Sequence, residues 1–508
     1  MGYSDNISAL FINAARKYPE EIAIIEVEEK ITFGQLEAEV KNYAAYLLKK
    51  GIQPGDRILI FVPMSIALYK TVLAVFHIGA VAVFLDEWIN MDRLELCCKI
   101  AKCKAFIAPW KIRVLSVFSK ELRSISIKLN ISGKSNSAVV LLHQSLTDDT
   151  ALITFTTGST GNPKAANRTH HFLQQQYSAL QPILPANSKI DMTLLPIVLL
   201  LNLGTGKTSV IAKFNPRKPK SFNAENIYFQ LRNNMVHSLT FSPYFLVETA
   251  KYLLKNSLHL PELKSIISGG GPIFPEDAKI IEQAFPGVKC TFVYGSTESE
   301  PIAHTDIKNF LEVSNSFKTD NGLYVGKVDV AATVKIIPIV EGEVISLEVL
   351  PLGQVGEIIV SGAHVLTSYF NSDQAFRLNK ITNNNSIWHR TGDAGWLNEN
   401  NALFLMGRCK QIIRWQNREL YPFLIEQQLK SIPGILNGTI IEFNDEPWII
   451  IQPEMEEMEE KILASLKNTI FSKFKSLFVL NIPMDKRHNT KIDYEGLKQS
   501  IRNNKLPT

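Results

Sequence analysis

The amino-acid sequence predicts an α/β protein: a large N-terminal domain of parallel α/β sheets over 1–407, with a small β subdomain at about 320–407, followed by a small α+β C-terminal domain over 408–508. Three observations predict it. Through roughly the first 300 residues, short apolar runs alternate with amphipathic stretches of helical period, the pattern of a parallel sheet covered on both faces. After about residue 320 the texture changes to short strands with turns. From Gly407 onward a stretch of about 100 residues has an alternation of its own.

Taken in order, 35–50 reads as an amphipathic helix ended by Gly51, with Pro54-Gly55-Asp56 as a turn. A buried strand over 57–62, a helix over 64–78 and a strand over 80–85 follow. Further strands are predicted at 104–108, 151–155, 238–241, 265–267 and 289–293, then short ones at 325–337, 342–347, 356–361 and 402–406. The last stretch predicts a helix over 422–431, strands over 437–443 and 447–452, and one helix over 454–476. That helix would begin with Glu456, Glu457, Glu459 and Glu460 and end with Lys473 and Lys475, the order the helix dipole favours. Residues 502–508 read as a frayed tail.

Composition narrows the function. The chain has 508 residues, 45% apolar and 20% charged, enough to bury a large core and to exclude a disordered or disulfide-scaffold protein. A net charge of +5 (54 basic against 49 acidic residues) supplies no concentrated basic stripe, so nucleic acid is not an expected partner. The odd set Cys97, Cys98, Cys103, Cys290 and Cys409 is not a disulfide framework, and no Cys-x-x-Cys pair suggests a metal cluster. Free thiols suit a reducing cytoplasm. Met1-Gly2 lacks the Ser or Thr of a myristoylation signal at Asn6, no signal peptide is evident, and the longest apolar runs, 81–85 and 194–201, are too short to span a bilayer.

Four loops carry candidate chemistry. Thr156-Thr157-Gly158-Ser159-Thr160-Gly161-Asn162-Pro163-Lys164 leaves an apolar strand and offers N–H and O–H donors and one cation to phosphate; a plain polar turn has the same composition. Ser268-Gly269-Gly270-Gly271-Pro272 lets backbone approach a flat ligand. Tyr294-Gly295-Ser296-Thr297-Glu298 sets an aromatic plate, hydroxyls and a carboxylate together, and Thr391-Gly392-Asp393 places a carboxylate in a turn. The first three are expected to share the carboxyl edge of one parallel sheet. Gly204-Thr205-Gly206-Lys207-Thr208 fails as a phosphate loop, because the first glycine of that motif would fall on Leu201.

In this order, the blocks resemble the adenylate-forming superfamily of acyl-CoA synthetases, luciferases and peptide-synthetase adenylation domains, from about Ile31 to Lys491. That family's Thr-Ser-Gly-Ser-Thr-Gly-x-Pro-Lys-Gly is matched from Thr156 to Lys164, with Thr157 for Ser and Ala165 for the last Gly. Its Tyr-Gly-x-Thr-Glu and Thr-Gly-Asp blocks are matched in full, and Gly407-Arg408 starts its hinge. The resemblance implies ATP- and Mg²⁺-dependent activation of a carboxylic acid to acyl-AMP. The phosphates would be covered by Thr156, Thr157, Gly158, Ser159, Thr160, Gly161 and Lys164, and adenine by Tyr294 and by Gly269, Gly270, Gly271 and Pro272. Gly295 and Ser296 belong to the nucleotide block; Thr297 would contact the α-phosphate and Glu298 would hold Mg²⁺. Asp393 would take the ribose hydroxyls beside Arg408, Lys410 would be the hinge, and Lys491 would bridge the substrate carboxylate and α-phosphate.

Departures bear on the second step. The lysine block reads Lys486-Arg487-His488-Asn489-Thr490-Lys491, similar to the β-lactone synthetases of olefin pathways, and Leu195-Pro196 leads to the apolar Leu199. Asn417 and Glu419 stand where the family has Gly and a basic residue beside the thioester tunnel. Three outcomes stay open: passage of an apolar, long-chain acyl group to the thiol of CoA or a carrier protein, closure of a 3-hydroxy acid to a lactone, or binding without turnover.

Overall fold

Two sheets frame the molecule. In a computed structural model, residues 5–502 are described except 86–89, 117–118, 136–139, 158–162, 186–187, 216–217, 317–320, 385, 468 and 486–488. The smaller, six-stranded sheet runs 127–129, 105–107, 57–60, 81–84, 150–157, 163–169, parallel but for its last hairpin. The larger, 14-stranded sheet contains a parallel block in the order 22–26, 208–211, 190–193, 238–241, 265–269, 289–296. Apolar helices fill the space around them: Phe33–Lys49, opened by a Thr32–Gln35 capping box, and Ile66–His77 share a core with Phe172, Leu199 and Leu203.

The expected β subdomain is β-rich but does not stand off as its own sheet. Leu323–Val328 pairs antiparallel with Ser299–Asp306, and Ala402–Arg408, Ser386–Leu397, Gly356–Ser361 and Thr333–Ile337 continue the large sheet from it. The expected run 325–337 breaks at a turn where the Asp329 carboxylate accepts from the Ala331 N–H, and 342–347 is not a strand; Ile345 there lies in solvent.

Beyond residue 408 a three-stranded sheet, Ile435–Phe443, Glu446–Pro453 and Lys475–Phe478, alternates its side chains between two small cores. Ile440, Ile449 and Ile451 join Ile425 and Leu429 of the helix Pro422–Lys430 on one face. Ile441 and Ile450 join Leu497 of the helix Tyr494–Arg502 on the other. The single helix expected over 454–476 is instead the short helix Glu459–Leu466, then a 3-10 turn holding Lys473, then the strand that begins at Lys475. The Thr469 hydroxyl, accepting from the Phe471 N–H, caps a new turn there and ends the helical register. Lys475 pairs with Glu446 across the strands, 2.5 Å away, and serves no helix end.

Among the described residues no helix is long and apolar enough to cross a membrane.

Candidate active site

The three glycine-bearing loops were expected on one sheet edge; they come from two sheets. Thr150–Thr157 turns back into Pro163–Thr169 in the smaller sheet, and Lys289–Ser296 turns back into Ser299–Asp306 in the larger. Both motifs therefore belong to antiparallel hairpins, and strand residues of the first hairpin meet the turn of the second. Thr156 Oγ1 donates to Glu298 Oε1 at 3.2 Å, and Arg168 of the first hairpin reaches the Thr297 carbonyl at 3.1 Å. Tyr294, Gly295 and Ser296 are the last residues of their strand, not a loop. A Cβ on Gly295 would lie 2.8 Å from the Ser299 carbonyl, which is why this turn takes no side chain there.

Segment 365–369 fills the seam between the hairpins, bridging Ser299 from Val365 and Ala166 from Tyr369. Its Leu366 N–H donates to the Glu298 carbonyl at 2.7 Å, and the Tyr369 hydroxyl donates to Glu298 Oε1 at 3.4 Å. Glu298 is thus buried and fixed by backbone and two hydroxyls. Two lysines lie beside it. Lys164 Nζ donates to Asn379 Oδ1 at 2.7 Å and sits 5.7 Å from the Tyr369 ring centre; burial pushes its pKa down, against the pull of Glu298. Lys380, 3% exposed, donates to the Leu366 carbonyl; burial pushes it down to about 7, again opposed by Glu298. His389 is held well below its ordinary value by burial and by the charges of Lys380 and Lys164.

At the other end of the site, Tyr294 Oη donates to Asp393 Oδ2 at 2.7 Å, and Arg408 Nε lies 3.1 Å from Asp393 Oδ1. Asp393 raises the pKa of the Arg408 guanidinium, and burial followed by Asp393 raises that of the Tyr294 phenol. Thr391-Gly392-Asp393 was expected in a turn; it lies in the strand Ser386–Leu397, kinked where Gly392 adopts φ +71° next to a register shift. The Gly392 N–H donates to Glu357 at 3.2 Å, and Glu357 is in turn paired with the buried Arg390 at 2.6 Å. That pair holds the kink.

The glycine-rich loop closes the third side. A Cβ on Gly269 would lie 2.8 Å from the Val293 carbonyl of the next strand, Gly270 has φ +85°, and Pro272 leads toward the helix Pro275–Ala284. Against Gly271 sits Thr490: a Cβ on Gly271 would lie 2.2 Å from Thr490 Oγ1. The loop of Lys491 is therefore seated on the glycine-rich loop. The Lys491 side chain lies at the protein surface, and Lys410 stands exposed in the 3-10 turn Cys409–Gln411. Gly158, Ser159, Thr160 and Gly161, like Lys486, Arg487 and His488, lie outside the described residues, as does the Thr157 side chain. Gly204–Thr208 is no ligand loop: it ends the helix Pro196–Thr205 with Gly206 at φ +75°, and Lys207 binds the Pro185 carbonyl at 2.7 Å.

Arg168, Tyr369, Asn379, Lys380 and His389 escaped the sequence reading. Lys380 sits in the polar run 377–386, which carries no local sign of burial, yet it opens the strand Lys380–Asn383.

Could these residues hold a nucleotide and a divalent cation? The buried hydroxyls of Ser268 and Ser296, at the ends of neighbouring strands, have no hydrogen-bond partner among the described residues, so the edge is built with polar groups left over for a ligand. Among the described residues no group of three or more metal-ligating side chains occurs. The Glu298 carboxylate suits a cation shared with phosphates, as Mg²⁺ is ordinarily held, and the lysines beside it suit the phosphates themselves.

Known proteins resemble the chain over most of its length. Residues 11–370 match the family model described as AMP-binding enzyme. An olefin beta-lactone synthetase of Stenotrophomonas maltophilia is 26% identical, over 97% of each chain. 4-Coumarate–CoA ligase 1 of Petroselinum crispum is 24% identical, over 94% of this chain and 90% of its own. O-Succinylbenzoate coenzyme A synthetase from Bacillus subtilis, solved with AMP, superposes with a TM-score of 0.80 at 20% identity, over 97% of this chain and 98% of its own.

Proposed function

The chain belongs to the AMP-binding enzyme family and is an AMP-forming acid ligase, and from that premise we propose that it activates an apolar, long-chain carboxylic acid with ATP. The acid's carboxylate oxygen bonds to the α-phosphorus, the bond from that phosphorus to pyrophosphate breaks, and acyl-AMP is left. A carboxylate is a poor acyl donor, and AMP makes it a good one. The observation that supports the reading is that Thr490, next to Lys491, lies against Gly271, which follows the strand paired with that of Tyr294, the partner of Asp393.

In this reading Asp393 exchanges its hydrogen bonds to meet the ribose hydroxyls while Arg408 stays paired with it. Tyr294 offers its face to adenine, opposite Gly269, Gly270 and Gly271. Lys164 and the Thr156–Gly161 tip gather the outer phosphates, and Thr297 and Lys491 meet the charge that develops at the α-phosphate. Glu298 would hold Mg²⁺, which neutralises phosphate charge when bound. The chain from 408 onward acts as a separate domain that turns about Lys410, leaving the site for the second step. Leu199 and Leu203 are packed in the core, whereas Ile197 and Leu200 of the same helix stay partly exposed, and this apolar face is where the acyl chain is proposed to lie.

For the second step the acyl group passes to the thiol of CoA or of a carrier protein, in the cytoplasm: sulfur bonds to the carbonyl carbon and AMP leaves. One observation favours internal lactone closure instead. Gln416 and Asn417, at φ +47° and +59°, form the two-residue turn between Ile413–Trp415 and Arg418–Leu420, so Asn417 keeps the backbone of the family's glycine but adds a carboxamide. The Glu419 carboxylate beside it accepts from Tyr421 at 2.6 Å. Incubation with Mg-ATP and a long-chain 3-hydroxy acid, without CoA, followed by mass spectrometry, separates the readings. A product lighter than the acid by one water is the lactone; acyl-AMP alone calls for a thiol acceptor; neither product, across chain lengths and with CoA added, refutes acid activation.

A further inference from the structure

Thr490 immediately precedes Lys491, the residue expected to act in adenylation. Its oxygen is buried and has no hydrogen-bond partner among the described residues. Burying a hydroxyl without a partner is unfavourable, so the position needs a reason. The hydroxyl occupies the volume that a side chain on Gly271 would fill, with Thr490 Oγ1 at 2.2 Å, Cβ at 2.8 Å and Cγ2 at 3.2 Å from that notional Cβ. The side-chain oxygen, the atom nearest that position, therefore faces the glycine-rich loop beside Lys491.

Residues 489–491 are tied to Asp485. Asp485 Oδ1 accepts from the Thr490 N–H at 3.0 Å and the Lys491 N–H at 2.8 Å, and the Asp485 N–H donates to the Lys491 carbonyl at 2.7 Å. Asn489, at φ +52°, starts the turn. Thr490 and Lys491 therefore arrive together whenever this segment seats on Gly271.

We propose that the Thr490 hydroxyl is a catalytic group of this chain: on closure it donates a hydrogen bond to an anionic oxygen of the reacting acid or of its α-phosphate, beside Lys491. No proton is transferred; the hydroxyl stabilises charge on the oxygen it faces. The inference rests on the acid-activating reading above.

The test is acid-dependent ATP–pyrophosphate exchange with a long-chain fatty acid, comparing wild type, Thr490→Val and Thr490→Ser. Valine keeps the shape and removes the O–H; serine keeps the O–H. The valine variant is expected to lose about 10- to 100-fold in exchange kcat, the worth of one hydrogen bond to a charged group, with the ATP KM little changed and the serine variant within a few-fold of wild type. Valine equal to wild type, or valine and serine falling alike, overturns the proposal. Thermal melting accompanies each variant, and Thr490→Ala replaces valine if valine disturbs the fold. Absence of exchange in the wild type, with both hydroxy and plain acids, would be the failure of the acid-activating reading itself.

Discussion

Lys430 Nζ lies 2.6 Å from Asp277 Oδ2, joining the helix Pro422–Lys430 to the first turn of the helix that follows the glycine-rich loop. Beside this pair the Phe274 and Phe423 rings pack tilted, 5.5 Å apart, and Lys430 lies 5.5 Å from the Phe274 ring centre. Asp277 is buried, so its loss leaves the lysine without a partner. Asp277→Asn is expected to weaken seating of the Lys491 loop by about 1 kcal/mol, slowing pyrophosphate exchange roughly five-fold. The second half-reaction, started from preformed acyl-AMP, should not slow. Equal losses in both halves would remove the latch role.

Lys491→Ala is expected to reduce acid-dependent pyrophosphate release by at least about 100-fold, because a cation positioned only at closure acts on the transition state more than on bound ATP. AMP binding, followed by calorimetry, should survive. Unaltered release would take Lys491 out of the reaction.

Much of this was legible in the sequence. The alternation of strands and helices gave the parallel sheets, and the motifs at 156–164, 268–272 and 294–298 lay at strand ends. What escaped depended on pairing at a distance. Nothing local tells that the strand of Thr156 joins a different sheet from that of Tyr294, because a strand-turn-strand and a strand-turn-helix begin with the same residues. Thr391-Gly392-Asp393 looked like a turn, yet the pairing of Arg390 with Glu357, 33 residues away, holds it in a kinked strand. Lys380 looked solvated because its burial comes from segments 366–369 and 386–397, which only the fold brings together.

Asp393 is the hub between Tyr294 and Arg408, so Asp393→Asn should raise the ATP KM by about 10- to 100-fold, and Tyr294→Phe, which removes one hydroxyl and keeps the ring, by less. Steady-state kinetics at saturating acid measure both. A phenylalanine variant worse than the asparagine variant would place the main contact on the phenol.

Glu298→Gln keeps the acceptor for Thr156 and Tyr369 and removes the charge that faces Lys164 and Lys380. Its expected effect is a higher Mg²⁺ concentration for half-maximal rate together with a lower maximal rate. Titrating Mg²⁺ at fixed ATP reads both, and a variant with wild-type values would sink the metal-holding role.

Glu426 ties the Lys491 loop to its own sheet: its carboxylate accepts from the Tyr494 hydroxyl and, at 3.3 Å, from Thr439. Burial pushes its pKa up to about 7 from an ordinary value of 4.5, more than these hydrogen bonds pull it down. A raised acid pKa means that the folded protein holds a proton the unfolded chain has already released, so stability from this group is full below about 4.5 and falls as pH rises toward 7. Glu426→Gln removes the titration while keeping an acceptor for Tyr494. The difference in Tm between the glutamine variant and wild type should therefore shift in favour of the variant on going from pH 5 to pH 8. Parallel Tm–pH curves would show that Glu426 is already ionised in the folded protein at the lower pH.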